Sequence, residues 1–136
     1  MSRILVVEEE PSLRRLYEQE LAREGDTVLT ANDTVDAVRE FERIHPDLVV
    51  LDLGPPPNDG LRCVERMLAV DRTIPIVLNT TCLSYADDPL GWAVDAYVVK
   101  SSDTSELRSR VRELLHSRPY ERIWSALINQ EVCDGR

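Results

Sequence analysis

The run DLVVLDL, residues 47–53, is the feature that most constrains how this chain can fold. A strand that is apolar throughout, rather than at alternate positions, must be covered on both faces, as at the centre of a parallel sheet. Other strand-like runs lie on both sides of it: RILVV, TVLTA, IPIVLNT and AYVVK. Segments of helical periodicity separate these runs, which predicts five β-α repeats joined by right-handed crossovers. We therefore expect an α/β fold, a doubly wound three-layer sandwich.

Two segments depart from the regular repeat. Residues 81–95 hold Pro89 and Gly91 in the span available for a fourth helix, so that helix should be short, broken or mobile. Residues 119–136 follow the fifth repeat and carry apolar side chains at helical spacing. We divide the chain into a domain at 1–118 and an amphipathic helical extension at 119–136. We expect this extension to pack on the domain or pair with a second copy, and the remaining alternative is a linker to an output domain.

Composition excludes several functional classes. The formal net charge of −9 and a single lysine, Lys100, argue against a nucleic-acid-binding surface, which depends on basic patches. The same charge argues against binding to a membrane surface, and the apolar runs are too short to span one. Cys63, Cys82 and Cys133 show no metal-binding spacing, and three reduced cysteines suit a cytoplasmic protein.

Chemistry-bearing residues follow the predicted strands. In a doubly wound sheet, ligands bind at the carboxyl ends of the strands. The residues expected there are Glu8, Glu9, Asp52, Thr80 and Lys100. Carboxylate oxygens suit Mg²⁺, and a carboxylate beside such a metal can accept a phosphoryl group. We predict a cleft in which acids, a hydroxyl and an ammonium meet, with Mg²⁺ and the lysine compensating the acidic charge.

The chain resembles a response regulator receiver domain of the chemotaxis-Y-like kind, from bacterial two-component signalling. The resemblance runs from Ser2 to about Leu115 and rests on ILVVEEEPSLRRLYEQEL, PDLVVLDLGPPPNDGL, PIVLNT and DAYVVK in this order. It implies a flavodoxin-like (βα)5 fold with strand order 2-1-3-4-5. It also implies a cytoplasmic signalling domain rather than an enzyme, phosphorylated by a histidine kinase or a histidine phosphotransfer protein.

The resemblance assigns a role to each site residue. Asp52 is the phosphoacceptor, Glu9 the direct ligand of Mg²⁺ or Mn²⁺, and Glu8 the acidic partner that holds metal-bound water. The remaining roles are a carbonyl ligand from Gly54, the switch hydroxyl of Thr80, the invariant lysine, Lys100, and the switch aromatic, Tyr97. Phosphorylation would change how the face between the fourth and fifth helices binds a downstream protein or a second copy.

Four departures from the family pattern support an alternative. The acidic pair is Glu-Glu, the loop GPPPNDG has three prolines, Ser101 replaces the usual proline, and the stretch from Thr80 to Lys100 is about two residues short. The alternative is a degenerate receiver that acts as a protein-interaction module without efficient phosphorylation. An enzyme on the same architecture fits less well. A dehalogenase-like phosphatase needs an acid where Gly54 lies, and the acidic first loop opposes a dinucleotide or flavin phosphate.

Overall fold

The computed structural model describes residues 1–52, 57–80 and 94–117. Its strands are β1 (Arg3–Val7), β2 (Thr27–Ala31), β3 (Leu48–Leu51), β4 (Ile76–Thr80) and β5 (Ala96–Val99). Its helices are α1 (Pro11–Leu21), α2 (Thr34–Ile44), α3 (Pro57–Val70) and α4 (Ser105–His116), with a 3₁₀ turn at Ala22–Glu24. All five predicted strands are therefore present.

The five strands form one parallel sheet in the order β2-β1-β3-β4-β5, as predicted. In the register, Val7 of β1 pairs with Leu51 of β3, and Leu51 pairs with Leu78 of β4. On the outer side of β4, Asn79 pairs with Val98 of β5. All four residues of β3 are buried, which confirms a central strand covered on both faces.

The sheet separates two apolar clusters, and alternate residues of each strand point into one or the other. One cluster joins the sheet to α2 and α3, with Phe41 and Met67 fully buried. The other joins it to α1 and α4, with Tyr17 and Val111 buried. We call the face of the sheet under α1 and α4 the α1/α4 face, and it carries Ile4, Val6, Leu48, Val50, Val77, Ala96 and Val98.

Local capping explains where α2 begins and ends. The Asp33 side chain accepts a hydrogen bond from the Asp36 amide at 2.7 Å, which satisfies a donor that the first helical turn leaves free. Asp33 is thus the N-cap of α2. The helix ends at His45, whose backbone is left-handed at φ 47°, and Pro46 follows.

Two predictions concern residues outside the described ranges. The irregular helix of the fourth repeat was predicted within 81–95, of which 81–93 lie outside the described residues, so α4 is the helix of the fifth repeat. The amphipathic extension at 119–136 also lies outside. Within the described residues, no helix is long and apolar enough to cross a membrane.

Candidate functional site

One transverse row of polar side chains crosses the sheet just beyond its apolar core. The register places Glu8, Asp52 and Asn79 side by side, one residue beyond the pairs Val7–Leu51 and Leu51–Leu78. The Asp52 amide donates to the Val7 carbonyl at 3.1 Å, which continues the β1–β3 ladder to this row. Each of these positions lies two residues after a residue of the α1/α4 face, namely Val6, Val50 and Val77. Because side chains alternate along a strand, all three side chains lie on that face, in neighbouring strands roughly 4.8 Å apart.

Lys100 bridges the two acids of this row. Its ammonium Nζ lies 2.8 Å from Asp52 Oδ2 and 2.7 Å from Glu8 Oε1. Burial alone would lower the pKa of Lys100, but the hydrogen bonds and charges of Asp52 and Glu8 outweigh it and raise that pKa. The lysine is therefore charged at neutral pH, and it is the predicted compensating cation.

The three consecutive glutamates have three different surroundings. Glu8 is 2% exposed, and its Oε2 accepts a hydrogen bond from the Glu10 amide at 3.2 Å. Glu9 is exposed. Glu10 caps α1 by accepting from the Leu13 amide at 2.9 Å, and the hydrogen bond from the Ser12 hydroxyl is the largest cause that lowers the pKa of Glu10. Glu10 is thus explained by helix capping rather than by the site.

A second cation holds the acidic loop, and sequence reasoning missed it. The Arg14 guanidinium donates to the Glu8 carbonyl at 3.0 Å and to the Glu9 carbonyl at 3.4 Å. These bonds satisfy backbone acceptors of the loop between β1 and α1. The only feature of the sequence that could have indicated this contact is the position of Arg14, about one helical turn after the acidic loop.

The two predicted switch residues lie beside the row. Thr80 is buried at the end of β4, and its carbonyl accepts a hydrogen bond from the Lys100 amide at 3.0 Å. Side chains alternate along a strand, and Asn79 lies on the α1/α4 face. The Thr80 side chain therefore lies on the opposite face, which α2 and α3 cover. Tyr97 is half-buried and packs against the cluster on that same face. Their switching roles remain predictions.

The structure brings together part of the predicted metal set. Glu8 and Asp52 are adjacent oxygen donors, and the Lys100 ammonium contacts both, 2.7 Å from the buried Glu8 Oε1. Two neighbouring carboxylates supply the oxygen ligands that a divalent cation prefers. In residues 1–52, 57–80 and 94–117, however, no three acidic, histidine or cysteine side chains converge as a metal site. Gly54 lies outside those ranges.

Comparison with known proteins agrees with this arrangement. Residues 4–112 match the family described as the response regulator receiver domain. A probable transcriptional regulator ycf27 of Cyanophora paradoxa is 40% identical over 115 residues, which cover 83% of this chain and 48% of that protein. The response regulator ArlR of Staphylococcus aureus (strain Mu50) is 34% identical over 125 residues, 90% of this chain and 57% of that protein. The chain thus spans about half the length of these curated relatives.

Solved structures give the same fold. The response regulator TrrA from Thermotoga maritima, in complex with Mg²⁺-BeF, superposes with a TM-score of 0.78 at 38% identity. The match covers 84% of this chain and 99% of TrrA. A complex of the histidine kinase ThkA with TrrA matches with a TM-score of 0.76 at 38% identity, over 85% of this chain and 99% of the matched chain. By sequence, strand order and relatives, this chain belongs to the response regulator receiver domain family.

Proposed function

We propose that Asp52 accepts a phosphoryl group in a Mg²⁺-dependent transfer and that the resulting acyl phosphate changes which partner the domain binds. The observation that carries this proposal is the single ammonium of Lys100, in contact with both Asp52 and Glu8 at the carboxyl edge of the sheet. Phosphoryl transfer needs a positioned nucleophile and neutralisation of the phosphoryl oxygens. A carboxylate with a charged lysine beside it supplies both.

In the transfer, a carboxylate oxygen of Asp52 attacks the phosphorus of a phosphohistidine. The new P–O bond forms as the P–N bond breaks, and the imidazole leaves with the electron pair and takes up a proton. Lys100, already charged and 2.8 Å from Asp52, pairs with a phosphoryl oxygen. Glu8, Glu9, Asp52 and the Gly54 carbonyl would hold the metal. When bound, Mg²⁺ neutralises further phosphoryl charge and reduces repulsion between donor and acceptor.

The partners follow from this chemistry. We propose a cytoplasmic histidine kinase or histidine phosphotransfer protein as donor, and a downstream protein as target. The Thermotoga maritima complex of a kinase with TrrA supports the first of these by similarity. Thr80 and Tyr97 are the proposed switch residues, and phosphorylation at Asp52 would alter their conformation and the surface between the helices of the fourth and fifth repeats.

Intact-mass spectrometry tests the proposal. After incubation with Mg²⁺ and a small phosphodonor such as phosphoramidate, we expect one added phosphoryl group on the wild-type chain. Asp52→Asn should show no adduct, because the amide cannot act as the nucleophile. Removing the metal with a chelator should also abolish the adduct.

Asp71→Asn is the matched control for this experiment. Asp71 lies in the turn before β4, at the opposite end of the sheet, where its side chain accepts from the Thr73 amide at 2.9 Å. This variant should be labelled like the wild type. Labelling that persists in Asp52→Asn would contradict the assignment of the phosphoacceptor.

One observation favours the second candidate function, a degenerate receiver that only binds proteins. Glu9 is exposed, while Glu8 is occupied by Lys100 and by the Glu10 amide. A receiver whose acids are satisfied in this way binds metal weakly. Wild-type protein that takes up no phosphoryl group at millimolar Mg²⁺, under conditions that label an ordinary receiver, would favour this second function.

A further inference from the structure

A buried polar pair lies beneath the candidate site, and no role described above uses it. Asn79 is 3% exposed and belongs to the α1/α4 face, where the preceding residue of β4 on that face is the apolar Val77. Its register position is next to Asp52. A buried amide on an otherwise apolar face costs free energy unless it has a partner or a function.

Tyr17 of α1 provides the second member of this pair. It is 2% exposed, and within the described residues its hydroxyl makes no hydrogen bond of ordinary geometry. Burial raises the pKa of Tyr17, while interaction with the Asn79 side chain and with the charge of Lys100 opposes this increase. Tyr17 packs in the cluster that also holds Val77 and Val98, the neighbours of Asn79 along β4 and across to β5, so its ring lies on the part of the α1/α4 face that carries Asn79. We call these two residues the Tyr17–Asn79 pair.

The register shows how Lys100 passes this pair. Asn79 is opposite Val98 of β5, and Lys100 is two residues after Val98, on the same face. The lysine starts from β5, but its ammonium contacts Asp52 after β3 and Glu8 after β1. Because β4 lies between β5 and β3, the lysine side chain must cross β4 at the level of Asn79 to reach them.

We propose that Asn79 and Tyr17 are positioning residues that hold the Lys100 side chain across β4, so that its ammonium stays on Asp52 and Glu8. The Asn79 amide is the polar surface over which the lysine passes, and the Tyr17 hydroxyl orients that amide from α1. The effect on phosphoryl transfer rests on the proposed function. The effect on the conformation of Lys100 does not.

The chain offers a direct probe, because Lys100 is its only lysine. In protein labelled with ¹⁵N-lysine, an NMR spectrum selective for side-chain ammonium groups reports on Lys100 alone. An ammonium held in a partly buried ion pair exchanges its protons slowly and gives a resolved signal. The variants are Asn79→Leu, which replaces the amide with an apolar side chain of similar size, Tyr17→Phe, which removes one oxygen atom, and the double variant.

In the wild type we expect one slowly exchanging ammonium signal. Asn79→Leu should broaden this signal or move it to the position of a free lysine, and Tyr17→Phe should shift it less in the same direction. Because Tyr17 acts through Asn79, the double variant should resemble Asn79→Leu alone. The rate of phosphoryl uptake should fall about tenfold in Asn79→Leu, as for other supporting residues of reactive sites.

Thermal unfolding separates positioning from a structural role. Tyr17→Phe removes a buried hydroxyl that makes no hydrogen bond of ordinary geometry within the described residues, and Asn79→Leu places an apolar side chain on an apolar face. Neither midpoint should therefore fall below that of the wild type. The proposal would be overturned if the lysine signal were unchanged in both variants. It would also be overturned if the wild type gave no slowly exchanging lysine signal. If Asn79→Leu does not fold, Tyr17→Phe decides by the same criterion. If the wild type is not phosphorylated, the proposed function fails, while the lysine signal still decides this inference.

Discussion

Replacing Lys100 with methionine is expected to lower the free energy of unfolding at neutral pH by about 3 kcal/mol, because it leaves buried charge without its partner. Glu8 is 2% exposed and Asp52 only 16% exposed, so water compensates them poorly once the ammonium is gone. Methionine keeps most of the apolar length of the lysine, which limits the loss of packing. Urea denaturation at pH 7, with a chelator present, measures the change.

The pH dependence identifies the cause of that loss. The pKa of Lys100 is raised in the folded state, so the contribution of its ion pairs is complete at pH 7 and is lost only as the pH rises through that raised pKa. Lys100→Met lacks this dependence, so its stability gap to the wild type should stay constant from pH 7 into mildly alkaline solution and narrow only as the pH rises through that raised pKa.

The companion variant Glu8→Gln is the control for charge. Combined with Lys100→Met, it removes one of the two negative charges that the lysine compensates. The double variant should therefore be more stable at pH 7 than the sum of the two single losses implies. Strictly additive losses, independent of pH, would show that the lysine stabilises the domain through the packing of its aliphatic part.

The fold was predictable because its strands are short, apolar and separated by helices with clear boundaries. The buried run of β3 predicted a central parallel strand, and the structure confirms it. Strand ends then located the site, since parallel strands bring their carboxyl ends to one edge. That rule placed Glu8, Asp52 and Lys100 together, and the Lys100 ammonium contacts both acids.

Other parts of the site depend on three-dimensional relations that neighbouring residues in the sequence do not predict. Glu8, Glu9 and Glu10 are consecutive in the sequence, but the turn into α1 leaves Glu9 exposed and uses Glu10 as a helix cap. In the sequence alone, Asn79 is one residue of a predicted buried strand. Only the register of β3 and β4, which puts Asn79 beside Asp52, shows that it belongs to the site. Such relations need the pairing of strands, which a single sequence specifies only indirectly.

Long-range ion pairs were the least predictable feature, and the pair between Arg112 and Asp26 is the clearest case. The two residues are 86 positions apart. Arg112 on α4 contacts both Glu24 and Asp26 before β2. The other carboxylate oxygen of Asp26 accepts from the Ser2 amide at 3.0 Å. This cluster joins the last described helix to the beginning of β1, and nothing in the local sequence around either residue indicates it.

Arg112→Gln is expected to lower the free energy of unfolding at pH 7 by about 2 kcal/mol, because Asp26 is then buried without its cation. The Asp26 side chain is only 5% exposed. Burial by itself would raise the pKa of Asp26, but the hydrogen bonds from Arg112 and the Ser2 amide outweigh it and lower that pKa. Urea denaturation of the variant and the wild type, at pH 7 and at about pH 2, measures the effect.

The sign of the pH dependence follows from the lowered pKa of Asp26. A carboxyl with a lowered folded-state pKa stabilises the protein above its unfolded pKa, about 3.9, and this contribution is lost as the pH falls through the folded value. The difference in free energy of unfolding between Arg112→Gln and the wild type should therefore disappear in acid.

Arg110→Gln on the same helix is the matched control. Its arginine is 42% exposed and pairs with an exposed glutamate, so it should change stability by less than about 0.5 kcal/mol. Equal losses in the two variants would mean that α4 is stabilised by its arginines generally, and that the buried carboxylate of Asp26 has no special dependence on Arg112.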